Sequence, residues 1–103
     1  MMLNIVLQDN LKAYLKKHHH DTISLRLVHN DYATGNINTI NPEIHFKKPY
    51  SPENYNEYHI DDITLYIDKE AEAYDDTLEF VEEKAFALHH CHVKGLKLDK
   101  VEM

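Results

Sequence analysis

The sequence predicts an α+β domain that is mostly β: a small antiparallel β-sandwich or partly closed barrel with an N-terminal helix and one short second helix. Three observations predict it. Apolar residues recur at every second position in several short runs, the pattern of a strand with one covered face. Only the stretch after Leu7 keeps helical spacing for several turns. The connections between runs are short, which favours antiparallel pairing. With 103 residues the chain can form one core but not two, so a single domain over 1–103 is expected.

Leu3-Asn4-Ile5-Val6-Leu7 reads as a short first strand. Asp9 or Asn10 then offers a helix N-cap, and Leu11, Tyr14 and Leu15 follow at helical spacing up to Lys16-Lys17. Two lysines suit a helix C-terminus, where the dipole favours cations. His18-His19-His20-Asp21 is the exit loop, and Ile23, Leu25 and Leu27 mark one face of a second strand over 23–28. The segment 30–57 is the least regular. Asp31-Tyr32-Ala33-Thr34-Gly35-Asn36 has turn chemistry, Glu43-Ile44-His45-Phe46-Lys47 reads as a strand, and the Tyr/Pro-rich stretch 49–58 as a loop. Regularity returns at His59, with Ile63, Leu65 and Ile67 facing inward from one strand. Asp68 caps a short helical turn over 69–75, and strands follow at 78–81, at 85–93 and, after a turn at Gly95, at 96–98.

Composition narrows the function classes. Hydrophobic residues make up 43% and charged residues 28%, values of a folded globular domain rather than a disordered chain. Up to Pro52 there are six Lys/Arg against four Asp/Glu; beyond it, five against fourteen, within a total of −7. An acidic chain of this kind repels phosphate backbones, so no nucleic-acid partner is expected. No apolar run approaches the roughly 20 residues of a membrane span, and the start lacks the pattern of a signal peptide. One cysteine excludes an internal disulfide and fits a reducing cytoplasm.

The segments Ile5-Val6-Leu7-Gln8-Asp9-Asn10-Leu11-Lys12-Ala13-Tyr14-Leu15 and Ile23-Ser24-Leu25-Arg26-Leu27 resemble the opening elements of the HesB/IscA-like superfamily of iron–sulfur cluster biosynthesis proteins. So does the run Ile60-Asp61-Asp62-Ile63-Thr64-Leu65-Tyr66-Ile67-Asp68, followed by Ala71, Ala73, Tyr74, Asp75, Leu78, Phe80-Val81-Glu82 and the final Phe86-Ala87-Leu88. The resemblance implies that superfamily's fold and a place in cluster biogenesis. Its cluster-carrying members have a glycine-cysteine turn after the second strand and a Cys-Gly-Cys motif near the C-terminus. Neither is present here, and clusters are held mainly by cysteine sulfur. A divergent member without cluster ligands is therefore implied.

His89-His90-Cys91-His92 is the most conspicuous chemical string. In a strand its members alternate between faces, which leaves two readings open. Cys91 is either a small buried hydrophobe, or a pair two positions apart, His90 with His92 or His89 with Cys91, is joined by ligands from elsewhere, such as His45 or His59, to hold zinc or iron. His18-His19-His20 reads as a solvated loop, and the acidic set from Asp61 to Glu83 as a solvent-facing surface. Neither serine lies in a nucleophile elbow. Tyr50, Tyr55 and Tyr58 either make the proline-flanked loop a contact surface or pack it back onto the domain.

The expected function is thus a non-enzymatic adaptor or regulator in the cytoplasm. It has no resident cofactor and works through a protein partner. The alternative is a histidine/cysteine protein that binds zinc or iron. With nine histidines, a residue type that gains charge between neutral and mildly acidic pH, mild acidification is expected to draw the net charge toward zero. Solubility measured from pH 7 to pH 5 is expected to pass through a minimum near the pI of 5.6; a flat profile would contradict this.

Overall fold

The computed structural model describes residues 3–31, 38–85 and 88–97, with side chains described for 3–28, 40–82 and 91–97. Strand β1 (Asn4–Leu7) leads into helix α1 (Asp9–Lys17), followed by β2 (Thr22–Asp31), β3 (Asn38–His45), β4 (Tyr55–Ile60), β5 (Ile63–Asp68), β6 (Thr77–Ala85) and β7 (Leu88–Lys94). Short 3₁₀ turns lie at Pro52–Asn54 and Tyr74–Asp76. The strands form two sheets, ordered β1-β6-β7 and β3-β2-β5-β4. The mostly-β α+β class is as expected; the domain has two open sheets rather than a closed barrel.

One apolar layer joins these sheets. Leu7, Leu78 and Phe80 come from the three-stranded sheet, and Ile23, Leu25, Ile63, Leu65 and Ile67 from the four-stranded one. Leu11 and Leu15 of α1 complete the cluster, four residues apart on one helix face. Alternation on β2 and β5 therefore does what the sequence pattern predicts: Ile23 and Leu25, and Ile63, Leu65 and Ile67, enter this layer, and the residues between them face away from it.

Pairing direction departs from expectation. The hairpins β2–β3, β4–β5 and β6–β7 are antiparallel, but β1 pairs with β6 and β2 with β5 in parallel. Loop length constrains only strands adjacent in sequence, and both parallel pairs join strands far apart in the chain.

Gln8 shows how β1 hands over to α1. Its N–H donates to the Phe80 carbonyl at 2.9 Å and its carbonyl accepts the Lys12 N–H at 3.0 Å. Its side-chain Oε1 accepts the Glu82 N–H at 3.0 Å. Gln8, not Asp9 or Asn10, is the N-cap, and it makes no side-chain cap bond, because its amide oxygen continues the pairing to β6. At the other end, the His20 N–H reaches the Leu15 carbonyl (2.8 Å) and the His19 N–H that of Lys16 (3.3 Å). His19 has φ 58. This is a Schellman ending, with histidine in the left-handed position usually held by glycine. The histidine run is thus a structured cap: His18 packs on Tyr14 at 4.4 Å and His20 on Phe46 at 5.0 Å.

Several element predictions need correction. The strand expected over 43–47 is β3 and ends at His45. It includes Pro42, which an edge strand tolerates. Residues 55–58, expected as loop, belong to β4; this edge strand packs only Tyr58 and Ile60 against the core, so its sequence is mostly polar. No second α-helix forms over 69–75. Asp68 accepts the Glu70 N–H on Oδ1 and the Ala71 N–H on its carbonyl, each at 2.9 Å, but the turn goes no further. Ala73 is instead buried, bridged to Leu96, and Asp75 and Asp76 both have φ 53. Tertiary burial overrides the helix propensity of Lys69-Glu70-Ala71-Glu72. The final strand starts at Leu88, and 96–97 contribute the single bridge at Leu96. The turn expected over 32–36, Phe86-Ala87 and Leu98 lie outside the described residues.

Gly95 fixes the return of the chain after β7. It has φ +91, its carbonyl accepts the Tyr74 N–H at 2.8 Å, and an added Cβ would lie 2.5 Å from the Thr77 carbonyl oxygen. Both the left-handed backbone and the blocked space oppose any side chain. Gly95→Ala is expected to lower stability by about 1–3 kcal/mol in urea unfolding; an unchanged midpoint would refute this account.

Candidate functional site

The four-stranded sheet has a face turned away from the core, and register assigns its residues. Ile23, Leu25, Leu65 and Ile67 are inward, so Ser24 and Arg26 on β2 and Tyr66 and Asp68 on β5 lie on the outer face. Pairing of Tyr55 with Asp68, and of Glu43 with Arg26, adds the edge strands to the same row. Glu43, Arg26, Asp68 and Tyr55 therefore run across one end of this face, though they are widely separated in sequence.

Residues 46–54 link β3 on one edge to β4 on the other, so they must traverse the sheet. A cleft of about 460 Å³ lies elsewhere, near Lys12, Lys16, His19, Asp21, Asp61 and Asp62. Its charges are mixed, and Lys12 is already bridged to Asp61 at 3.2 Å. The cleft under the 46–54 connection, about 360 Å³, is lined by Arg26, Tyr55 and Asp68 from the sheet and by Tyr50, Ser51 and Asn54 from the connection. Asn54 is held at both ends: its N–H donates to the Ser51 carbonyl (3.0 Å) and its carbonyl accepts the Lys69 N–H (3.1 Å).

Electrostatics in this cleft are set by how Asp68 is used. Its Oδ2 accepts the Leu27 N–H at 3.0 Å and its Oδ1 the Glu70 N–H at 2.9 Å. Arg26 has no hydrogen bond or ion pair among the described residues. Burial, then the Asp68 carboxylate, raise the Tyr55 phenol above its ordinary value; Arg26 opposes them and Glu43 adds to the rise. Tyr55 is therefore a neutral hydroxyl, able to donate and to accept. Tyr50 is 98% exposed, with the Lys47 ammonium 5.8 Å from its ring centre. The three loop tyrosines thus separate: Tyr50 stands in solvent, Tyr55 lines the cleft, and Tyr58 packs on the core with its hydroxyl accepting the Leu3 N–H at 3.3 Å.

The histidine–cysteine string lies on the other sheet. Cys91 pairs with Glu82 and Val93 with Phe80, so Cys91 and Val93 share the core side. His92, paired with Val81, is on the opposite side and exposed. Burial pushes the Cys91 thiol up to about 12, far from the thiolate a metal prefers. The side chain of His90 lies outside the described residues. His45 and His59 are not brought to this string. They sit on β3 and β4 of the four-stranded sheet, beside Glu43 (3.5 Å) and Glu57 (2.6 Å). Among the described residues no three His, Cys, Asp or Glu side chains are grouped to hold a metal ion. No helix among them is long and apolar enough to cross a membrane.

Raised thiol pKa has a measurable consequence. The folded state keeps Cys91 protonated where the unfolded chain, with an ordinary thiol value of 9.0, begins to ionise. Its contribution to stability is complete below about pH 9 and lost as pH rises toward about 12. Alkylation of Cys91 at pH 8 is expected to be at least tenfold slower in the folded protein than in urea; equal rates would refute its placement.

Sequence reasoning singled out Tyr50 and Tyr55 but not Arg26 or Asp68. An arginine among leucines and an aspartate after a strand look ordinary; only pairing register brings them together. The HesB/IscA resemblance must be corrected, and with it the iron–sulfur assignment. It rested on alternating apolar strands and an amphipathic helix, which report burial and recur across unrelated β-rich domains. No curated protein and no solved structure matches the chain. The model that does match, over residues 3–96, is that of the CC/Se motif containing family, and the chain belongs to that family.

Proposed function

We propose that this chain is a non-enzymatic cytoplasmic binding module, acting as an adaptor or regulator through protein contact. Its contact surface is the outer face of the four-stranded sheet together with the 46–54 connection. The observation that carries the proposal is Tyr50, 98% exposed at the mouth of the Arg26–Tyr55 cleft. A large side chain held almost wholly in solvent contributes little to folding, yet it buries much area at small entropic loss when a partner arrives. Arg26 supplies the other residue type that dominates contact energetics.

Chemistry at Cys91 has less support. Intramolecular dithiol exchange needs a second thiol, and the sequence has one cysteine, flanked by histidines. The same single cysteine supports a reducing, cytoplasmic setting.

The test is a purified partner. A protein captured from native cytosol, identified and produced separately, should bind saturably to the wild-type chain. Binding to Tyr50→Ala should be at least tenfold weaker, and to Val6→Ser, altered on the other sheet, unchanged. Equal binding to all three would overturn the assigned surface. Stoichiometric zinc or iron in untagged protein, lost in Cys91→Ala, would replace the proposal with a metal-binding function.

A further inference from the structure

We propose that the Arg26 cleft is a carboxylate-binding site, and that its occupant is an extended protein segment carrying one carboxylate flanked by basic residues. This names the partner chemistry for the contact surface proposed above and rests on that reading.

The first reason is the state of Arg26. A guanidinium presents a planar fork of donors that matches a carboxylate. Arg26 lies between Glu43 and Asp68 in register, yet it is bonded to neither, and Asp68 gives one oxygen each to the Leu27 and Glu70 N–H groups. Glu43 lies beside His45. The fork is left open toward the cleft.

The second reason is what surrounds it. Tyr55 and Ser51 bring hydroxyls and Asn54 an amide, all groups that can donate to a carboxylate's remaining lone pairs. A volume of about 360 Å³ is at the small end for a ligand site. It admits one acidic side chain rather than a whole cofactor. Tyr50 stands at the mouth, where it can pack against the flanking chain.

The third reason is charge at longer range, which selects the flanks. The chain carries a net −7; around this cleft Glu43, Glu53, Glu57 and Asp68 are met by Arg26 and by Lys47 and Lys48 of the connection, so the field that selects the flanks is that of the whole chain. A polyacidic segment would be repelled, while lysines or arginines on either side of a single carboxylate would be attracted. The site thus takes one negative group locally and a positive segment overall.

The experiment is a titration of the full-length, isotopically labelled protein followed by NMR. The probes are a blocked pentapeptide with one aspartate between lysines, its asparagine counterpart, and inorganic phosphate. The aspartate peptide is expected to shift the Arg26 side-chain N–H and the backbone signals of Ser51, Asn54 and Tyr55. The asparagine peptide should bind at least tenfold more weakly, and Arg26→Gln should show the same loss for the aspartate peptide. Equal affinity for the two peptides, undiminished binding to Arg26→Gln, or tighter binding of phosphate than of the aspartate peptide would each overturn the proposal. The peptide comparison uses only the unaltered protein, so it holds even if the variant folds poorly. Should Tyr50→Ala weaken the protein partner while Arg26→Gln leaves it unchanged, the contact surface stands and the carboxylate site falls.

Discussion

One apolar layer, shared by both sheets and α1, holds this domain together. Neither sheet could cover its inner face alone. The three-stranded sheet offers Leu7, Leu78 and Phe80, the four-stranded sheet Leu25, Leu65 and Ile67, and α1 adds Leu11 and Leu15. Each fully buried side chain of this size contributes about 1.5–3 kcal/mol relative to exposure, against a net stability of only about 5–15 kcal/mol. The layer therefore dictates which faces look outward. Gln8 ties this arrangement across the chain: three of its polar groups bond to Phe80, Glu82 and Lys12, so the start of α1 and the centre of β6 are placed by one residue.

A local competition at Asp68 then shapes the outer face. Pairing with Arg26 would form an exposed ion pair, worth about 0–1 kcal/mol. Leaving the part-buried Leu27 N–H without an acceptor would cost about 1–3 kcal/mol, while the exposed Glu70 N–H adds a turn contact that water could replace. The backbone wins, and the carboxylate ends the β2–β5 pairing and starts the turn after β5. An arginine without a hydrogen bond or ion pair among the described residues, beside a fixed loop, is the by-product of that outcome. The cleft between Arg26, Tyr55 and the 46–54 connection follows from it.

Much of the fold was legible in the sequence because burial leaves a period. Ile23, Leu25 and Leu27, and Ile63, Leu65 and Ile67, announce their strands and their inward faces. What escaped is what period does not encode. β4 turns only alternate residues of a polar segment toward the core, so it resembles a loop. Parallel pairing of β1 with β6 and of β2 with β5 depends on contacts distant in sequence. The helix expected after Asp68 had the right propensity, but Ala73 was needed in the core. The site fared similarly. Aromatic content exposed Tyr50 and Tyr55, whereas Arg26 and Asp68 acquire meaning only from register.

The same geometry explains why the most eye-catching string in the sequence is not where the outer-face site forms. In a strand, neighbours in sequence are on opposite faces, and neighbours on a face belong to different strands. Cys91 and His92 are adjacent in the chain, yet one packs on the core and the other meets solvent. Glu43, Arg26, Asp68 and Tyr55 are far apart in the chain, yet they form one row across β3, β2, β5 and β4. Burial further separates the two places in chemical character. It keeps the Cys91 thiol protonated, while the guanidinium of Arg26 lines a cleft open to solvent. A binding site in a β-rich domain this small is more readily built from a row than from a run. The contact surface proposed on the four-stranded sheet is such a row.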